Sequence, residues 1–273
     1  MPRHKRRPRR GPSLVEAIST VVIVASLAYT AFVVGMRYAP EGALEAVEPV
    51  INRVQVPVRE SFGRPRVMQT IYLNREGATL TGGPDDSQLN NSSIVAHAGL
   101  QQADIPAFAG SPARWRAIVK CIAGKFEPFD VRVVDRRPVG EDYIMAMLGG
   151  TIAVLGDYGK QKHHHALGLS PYNGKAIEDA VVLVFTRTAK ENTRKVCETA
   201  GMEIGHAYGL DHARGCRDLM TYMKPCGSKR FLDRDLACGE HKARPCAGGA
   251  GATQNSHRHL MGLLGPSPVA AAE

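Results

Sequence analysis

The stretch CETAGMEIGHAYGLDHARGCRDLMTYM, Cys197–Met223, decides how the chain is read, because it joins a helix to a sharp exit and crowds metal-ligating side chains around both. Residues four apart share one face of a helix, so position 202 stands over His206 with Glu203 beside them. In an H-E-x-x-H helix that geometry lets two imidazoles grip one zinc while the glutamate activates the attacking water. Here the first of those positions is Met202. Gly209 lacks a Cβ and suits the left-handed residue that ends a helix. A turn there lets His212 approach from the chain that follows.

The segment MEIGHAYGLDH, Met202–His212, resembles the extended zinc signature of the metzincin metallopeptidases, H-E-x-x-H-x-x-G-x-x-H. Glu203, His206, Gly209 and His212 match it position by position, and Met202 stands in place of the first histidine. The run LMTYM, Leu219–Met223, resembles the Met-turn of that family, with Met220 as the methionine beneath the metal and Tyr222 where some members carry a metal-approaching tyrosine. The resemblance implies an α+β domain over residues 67–265, a mixed twisted sheet with two packed helices, one of them the metal-site helix. It further implies Zn2+ held by His206 and His212, Glu203 as general base, Tyr222 as stabiliser of the charged intermediate, and a peptide or protein substrate. The short run TIAVLG, Thr151–Gly156, is the edge strand expected to pair with that substrate.

A thioether is a poor zinc ligand beside imidazole, so Met202 opens two readings. In one, His97, a member of the His163, His164, His165 run, Glu203 itself or Tyr222 completes the site, and the chain is an exported or membrane-anchored zinc endopeptidase. In the other it is a catalytically inactive domain of the same architecture, serving binding or structure in the cell envelope. The three consecutive histidines read as an exposed loop offering one ligand at most. His257 and His259, two apart, fall on different helix faces and do not form a ligand pair.

The formal charge of +9 is concentrated at one end, since Arg3, Lys5, Arg6, Arg7, Arg9 and Arg10 supply six of it and leave three for the rest of the chain. That distribution argues against a nucleic-acid surface. After the basic head, residues 1–16, comes AISTVVIVASLAYTAFVVGM, residues 17–36, without a charge. Twenty helical residues reach about 30 Å, a bilayer's hydrocarbon thickness. The segment therefore reads as a membrane anchor or signal. The basic head then stays cytoplasmic and the C-terminal domain lies outside, or is secreted if the segment is cleaved. Residues 37–66, with four prolines, read as a linker, and 266–273 as a flexible tail. The six cysteines all follow the apolar segment and read as up to three disulfides, with fifteen complete pairings open.

Periodicity predicts strands over 67–74, 129–135, 142–150, 151–156 and 180–185, the last continuously apolar as an inner strand is. Ser111 caps a helix over 111–126, with Pro112 at its first position and Trp115, Ile118, Val119 and Ile122 on one stripe. The polar run 82–110 reads as a long surface insertion and 160–174 as a loop. Thr188 and Glu191 have capping-box spacing for a helix over 189–208, and a terminal helix closes the chain within 255–265.

Overall fold

Alternate residues of a strand face opposite sides of a sheet, and the three central strands of this protein are apolar on both. β1 (Thr70–Asn74), β6 (Ile144–Leu148) and β8 (Val181–Val184) are buried along their whole lengths. Ile71, Leu73, Ile144, Ala146, Leu148, Val182 and Val184 enter one core, and Tyr72, Met145, Met147, Val181 and Leu183 enter the other. Burial on both faces is what parallel strands require. The sheet runs β5-β1-β6-β8-β7, with β5 (Arg132–Val134), β1, β6 and β8 parallel and β7 (Gly168–Leu169) antiparallel at the edge.

This computed structural model describes residues 69–162, 165–249 and 251–268, which belong to one unit over Arg64–Glu273. The basic head, the apolar segment 17–36, the linker, His163, His164 and the tail from residue 269 lie outside the described residues. No described helix is long and apolar enough to cross a membrane.

The fold is mixed α/β, with three sheets and five α-helices among the described residues rather than two helices. α2 (Pro112–Phe126) and α4 (Thr193–Ala207) cover one face of the main sheet, through Trp115, Ile118 and Ile122 from α2 and Val196, Ala200 and Ile204 from α4. The opposite face is covered by a three-stranded sheet, β3-β2-β4, and by α1 (Ser93–His97). Its strands are β2 (Ala78–Gly82), β3 (Asn91–Ser92) and β4 (Gln102–Ile105). The polar run 82–110 is thus a packed layer and not a surface insertion: Ile94, Val95, Ala103 and Ile105 reach the core from it.

Three further expectations are corrected. TIAVLG is not a strand, because Ile152–Leu155 is a turn of 3-10 helix that buries Ile152 and Leu155, three apart, on one side. The predicted loop 160–174 instead begins inside α3 (Gly156–Lys162) and contains the edge strand β7. The helix carrying Glu203 also starts later than its capping-box spacing suggests. Lys190 and Glu191 are left-handed, at φ 54° and 50°, so no helix passes through them. Asn192 is the N-cap, its side chain accepting the Lys195 N–H at 3.0 Å.

The chain leaves α4 through Gly209, which sits at φ 91°, and a Cβ built there meets backbone atoms of Lys175 at 2.8 to 3.1 Å. Both the left-handed backbone and the close approach exclude a side chain. Gly209→Ala is expected to cost about 2 kcal/mol or more, read as a lower urea midpoint. An unchanged midpoint would show that this exit relaxes freely.

Candidate metal site

Three elements build the site. α4 delivers Met202, Glu203 and His206 from successive turns of its buried face. The exit after Gly209 returns Asp211 and His212 beneath the helix end, where the Leu210 N–H donates to the Gly205 carbonyl oxygen at 2.9 Å. The turn that follows is organised by Asp218, fully buried, whose carboxylate accepts the Met220 N–H at 2.9 Å, the Leu232 N–H at 3.1 Å and the Ser256 hydroxyl at 2.6 Å. That turn presses Met220 under α4, with its Sδ 2.6 Å from where a Cβ on Gly205 would lie. A glycine at 205 is therefore what lets this methionine pack against the helix.

His206 and His212 meet with their Nε2 atoms 3.0 Å apart and their rings edge to face. The Nδ1 atom of each is already committed. His206 Nδ1–H donates to the Leu210 carbonyl oxygen at 2.7 Å, and His212 Nδ1–H donates to Glu240 at 2.7 Å. A carbonyl oxygen only accepts, and so does a carboxylate, which places the proton of each neutral ring on Nδ1 and leaves two Nε2 lone pairs facing one another. Burial and the neighbouring His212 lower the pKa of His206 to about 4, so it does not relieve the clash by protonation at neutral pH. Two lone pairs at this distance repel unless a metal cation, or a proton carried by His212, lies between them. Two imidazole nitrogens on one tetrahedral zinc sit about 3.3 Å apart, close to the observed separation. The donor set fits a zinc-type cation.

Asp211, His212 and Glu240 form a cluster of ligand-type side chains whose nearest donor atoms lie within 4.8 Å of one another, close enough to share one metal ion. Its carboxylates also hold Arg244. The guanidinium forms two bonds to Asp211, at 2.5 and 2.8 Å, and one to Glu240 at 2.9 Å. Burial opposes ionisation of Glu240, but the hydrogen bonds from His212 and Arg244 outweigh it and bring its pKa to about 2. The loop carrying Glu240 and Arg244 is closed by the Cys238–Cys246 disulfide. None of Asp211, Glu240 and Arg244 was legible as part of the site: Glu240 lies 28 residues beyond His212, and it returns through long-range backbone pairing, with the Gly239 N–H donating to the His212 carbonyl oxygen at 2.9 Å and Ala213 bridging to Cys238.

The remaining expected residues are spread around a cleft of about 940 Å³ lined by Leu167, Gly168, Met202, Glu203, Tyr222 and Met223, among others. Gly168 on the edge strand lies so close to Glu203 that a Cβ there would meet its Cγ at 2.6 Å. Glu203 is buried, and burial pushes its pKa up to about 8. Tyr222 is half-exposed, with its ring 4.3 Å from that of His212. Burial, then the charges of Glu203 and Glu240, push its phenol to about 12, so it stays a hydrogen-bond donor. Tyr172 stands edge-on to His206, its hydroxyl buried without a hydrogen-bond partner among the described residues. A more open hollow of about 540 Å³ beside Arg114 and the start of α4 contains none of these groups.

Among the candidates for a further ligand, His97 stacks edge-on against Tyr158 in the opposite layer, and His165 lines the cleft. His259 bonds the Tyr208 carbonyl oxygen and His257 lies against Phe129. Met202 is buried in the main core.

The metzincin resemblance is overturned. No family model matches the chain, and no curated protein matches it. The cluster of three ligand-type side chains uses two carboxylates and one histidine, Asp211, His212 and Glu240, and its composition and spacing are not those of H-E-x-x-H-x-x-G-x-x-H. At position 202 a thioether packs into the core where that signature needs an imidazole.

Proposed function

We propose that this protein is a zinc-dependent hydrolase of peptide bonds, with His206 and His212 as imidazole ligands, Glu203 as the proton acceptor and Tyr222 as a donor to the developing oxyanion. The opposed Nε2 atoms of His206 and His212 carry the proposal. A bound zinc ion would supply Lewis acidity toward a carbonyl oxygen and offset the charge that develops on it. Glu240 fixes the tautomer of His212 through its Nδ1–H, as carboxylates behind ligating histidines do. Arg244 already engages the carboxylates of Asp211 and Glu240, which favours the Nε2 side of His212 over the carboxylate cluster as the cation's position. Support for a polypeptide substrate comes from the cleft's wall: β7 is a sheet edge, and an extended chain pairs with such an edge through its backbone. Three disulfides support residence in an oxidising compartment outside the cytoplasm, in keeping with an anchor or signal at 17–36.

Met202 favours a second reading, because two imidazoles without a third protein ligand hold zinc less firmly. On that reading the domain binds a cation without turnover.

Metal analysis and zinc titration of the full chain, purified with its disulfides intact, test both. One zinc per chain is expected, with hydrolysis of an unfolded protein substrate that chelation removes and zinc restores. His206→Ala is expected to abolish stoichiometric zinc, whereas Glu240→Ala lowers affinity by about 10- to 100-fold. Zinc without hydrolysis selects the second reading. Loss of zinc in Glu240→Ala but not in His206→Ala places the cation in the carboxylate cluster and sinks the assignment, and no zinc in the folded parent sinks both readings.

A further inference from the structure

The cleft holds cations that hydrolysis does not use. Lys229 lines it and is only 8% exposed. Its ammonium donates to a neutral acceptor, the Thr221 carbonyl oxygen, at 2.6 Å, and forms no ion pair among the described residues. A lysine carries three N–H donors, so two remain for another group. Burial, reinforced by the like charges of Lys224 and Arg194 and opposed by Glu198, pushes its pKa below the usual lysine range. A buried ammonium facing a neutral partner gains most from an arriving anion, because hydrogen bonds between charged groups are the strong ones.

The surroundings reinforce this. Arg194, Lys195 and Lys224 line the same cleft, all three exposed. Glu198, a carboxylate of the lining besides Glu203, is already occupied: it accepts from Arg194 Nε at 2.9 Å and from the Lys229 N–H at 3.3 Å. The backbone at Lys229 is held from behind, where Lys125 Nζ donates to its carbonyl oxygen at 2.5 Å. Four cations thus face two carboxylates across a cleft whose floor at Met202 is apolar.

We propose that this end of the cleft is a carboxylate subsite, in which Lys229, assisted by Lys195 and Lys224, binds a carboxylate of the polypeptide substrate, supplied by an acidic side chain or by a chain's C-terminus. The inference rests on the peptidase reading and adds the substrate class to it.

Binding, rather than turnover, tests it. The full chain carrying Glu203→Gln is titrated, by fluorescence anisotropy, with alanine-based hexapeptides containing one glutamate, one glutamine or neither, each as the free acid and as the C-terminal amide. About tenfold tighter binding of the glutamate amide over the glutamine amide is expected if a side chain is read, and of the neutral acid over the neutral amide if the C-terminus is read. Either preference is expected to vanish in Lys229→Met and to weaken with salt. Equal affinity for charged and neutral peptides, or a preference that survives Lys229→Met, overturns the subsite and leaves the peptidase reading standing. Binding of no peptide overturns both. Should Lys229→Met not fold, the exposed pair Lys195→Glu and Lys224→Glu decides. The reversal is expected to abolish the preference at low salt, and an unchanged preference overturns the subsite.

Discussion

Glu203→Gln is expected to lower peptide hydrolysis by about 10²- to 10⁴-fold, the usual contribution of a positioned proton acceptor, while leaving zinc content unchanged. Glutamine keeps the shape of the side chain against Gly168 and loses only the ability to take and return a proton. The same substitution has a signature without turnover. Burial raises the carboxyl of Glu203 from 4.5 to about 8 in the folded, cation-free protein. Between those values the folded state keeps a proton that the unfolded chain has released, so stability falls as pH rises through that window. Glutamine does not titrate and escapes this fall. In chelator, Glu203→Gln is therefore expected to gain stability relative to the parent from pH 5 to pH 8, read as diverging urea midpoints. Hydrolysis undiminished in the variant would sink the proton-transfer role. Parallel pH profiles would sink the account of burial.

The parts of the fold that could be read from the sequence are those whose signal is local. β6 and β8 carry apolar runs of strand length, and α2 announces its own start, with the Ser111 hydroxyl accepting the Arg114 N–H at 3.2 Å. β3 has no such signal. It is two residues long and exists because Thr81 and Gly82 pair with Asn91 and Ser92, a relation between segments that no window of sequence contains. Asp85 acts in the same way from within the polar run, where its half-buried carboxylate accepts from the Ser93 hydroxyl at 2.5 Å and the Val181 N–H at 3.4 Å, tying the outer layer to the central sheet. A run of turn-forming residues hides such an anchor, because Asp in a turn and Asp in a core look alike in sequence.

The site divides along the same line. His206 and His212 come together across a single turn, so their separation of six positions and the glycine at 209 already imply a meeting. Glu240 and Arg244 come behind His212 through long-range pairing of Ala213 with Cys238 and of the Gly239 N–H with the His212 carbonyl oxygen, in a loop whose closure depends on which of fifteen cysteine pairings forms. The family resemblance failed for a related reason. A spacing pattern constrains where side chains can go, but Met202 shows that a helix can keep the spacing while one position serves the core.

Removing the Cys121–Cys197 disulfide is expected to destabilise the protein more than removing any other, with less effect on metal. The bond joins α2 to α4, its Cα atoms 6.0 Å apart across 76 residues of sequence. Closing a loop of that length removes about 4.5 kcal/mol of unfolded-chain entropy, against about 2.5 kcal/mol for loops of the 8 to 10 residues closed by the other two. Cys197 is fully buried in the main core, so alanine there also forfeits packing. Cys238–Cys246 acts elsewhere: it closes the loop that carries Glu240 to His212, and that loop is held besides by Arg244. The double variant Cys121→Ala with Cys197→Ala is therefore expected to show the larger drop in urea stability and near-parental zinc affinity while folded. Cys238→Ala with Cys246→Ala is expected to show the smaller drop and the weaker zinc binding, because His212 loses its fixed tautomer. Equal losses of stability would argue against the loop-length account. Zinc affinity untouched in the second variant would show that Asp211, Arg244 and Glu240 hold their arrangement without the disulfide.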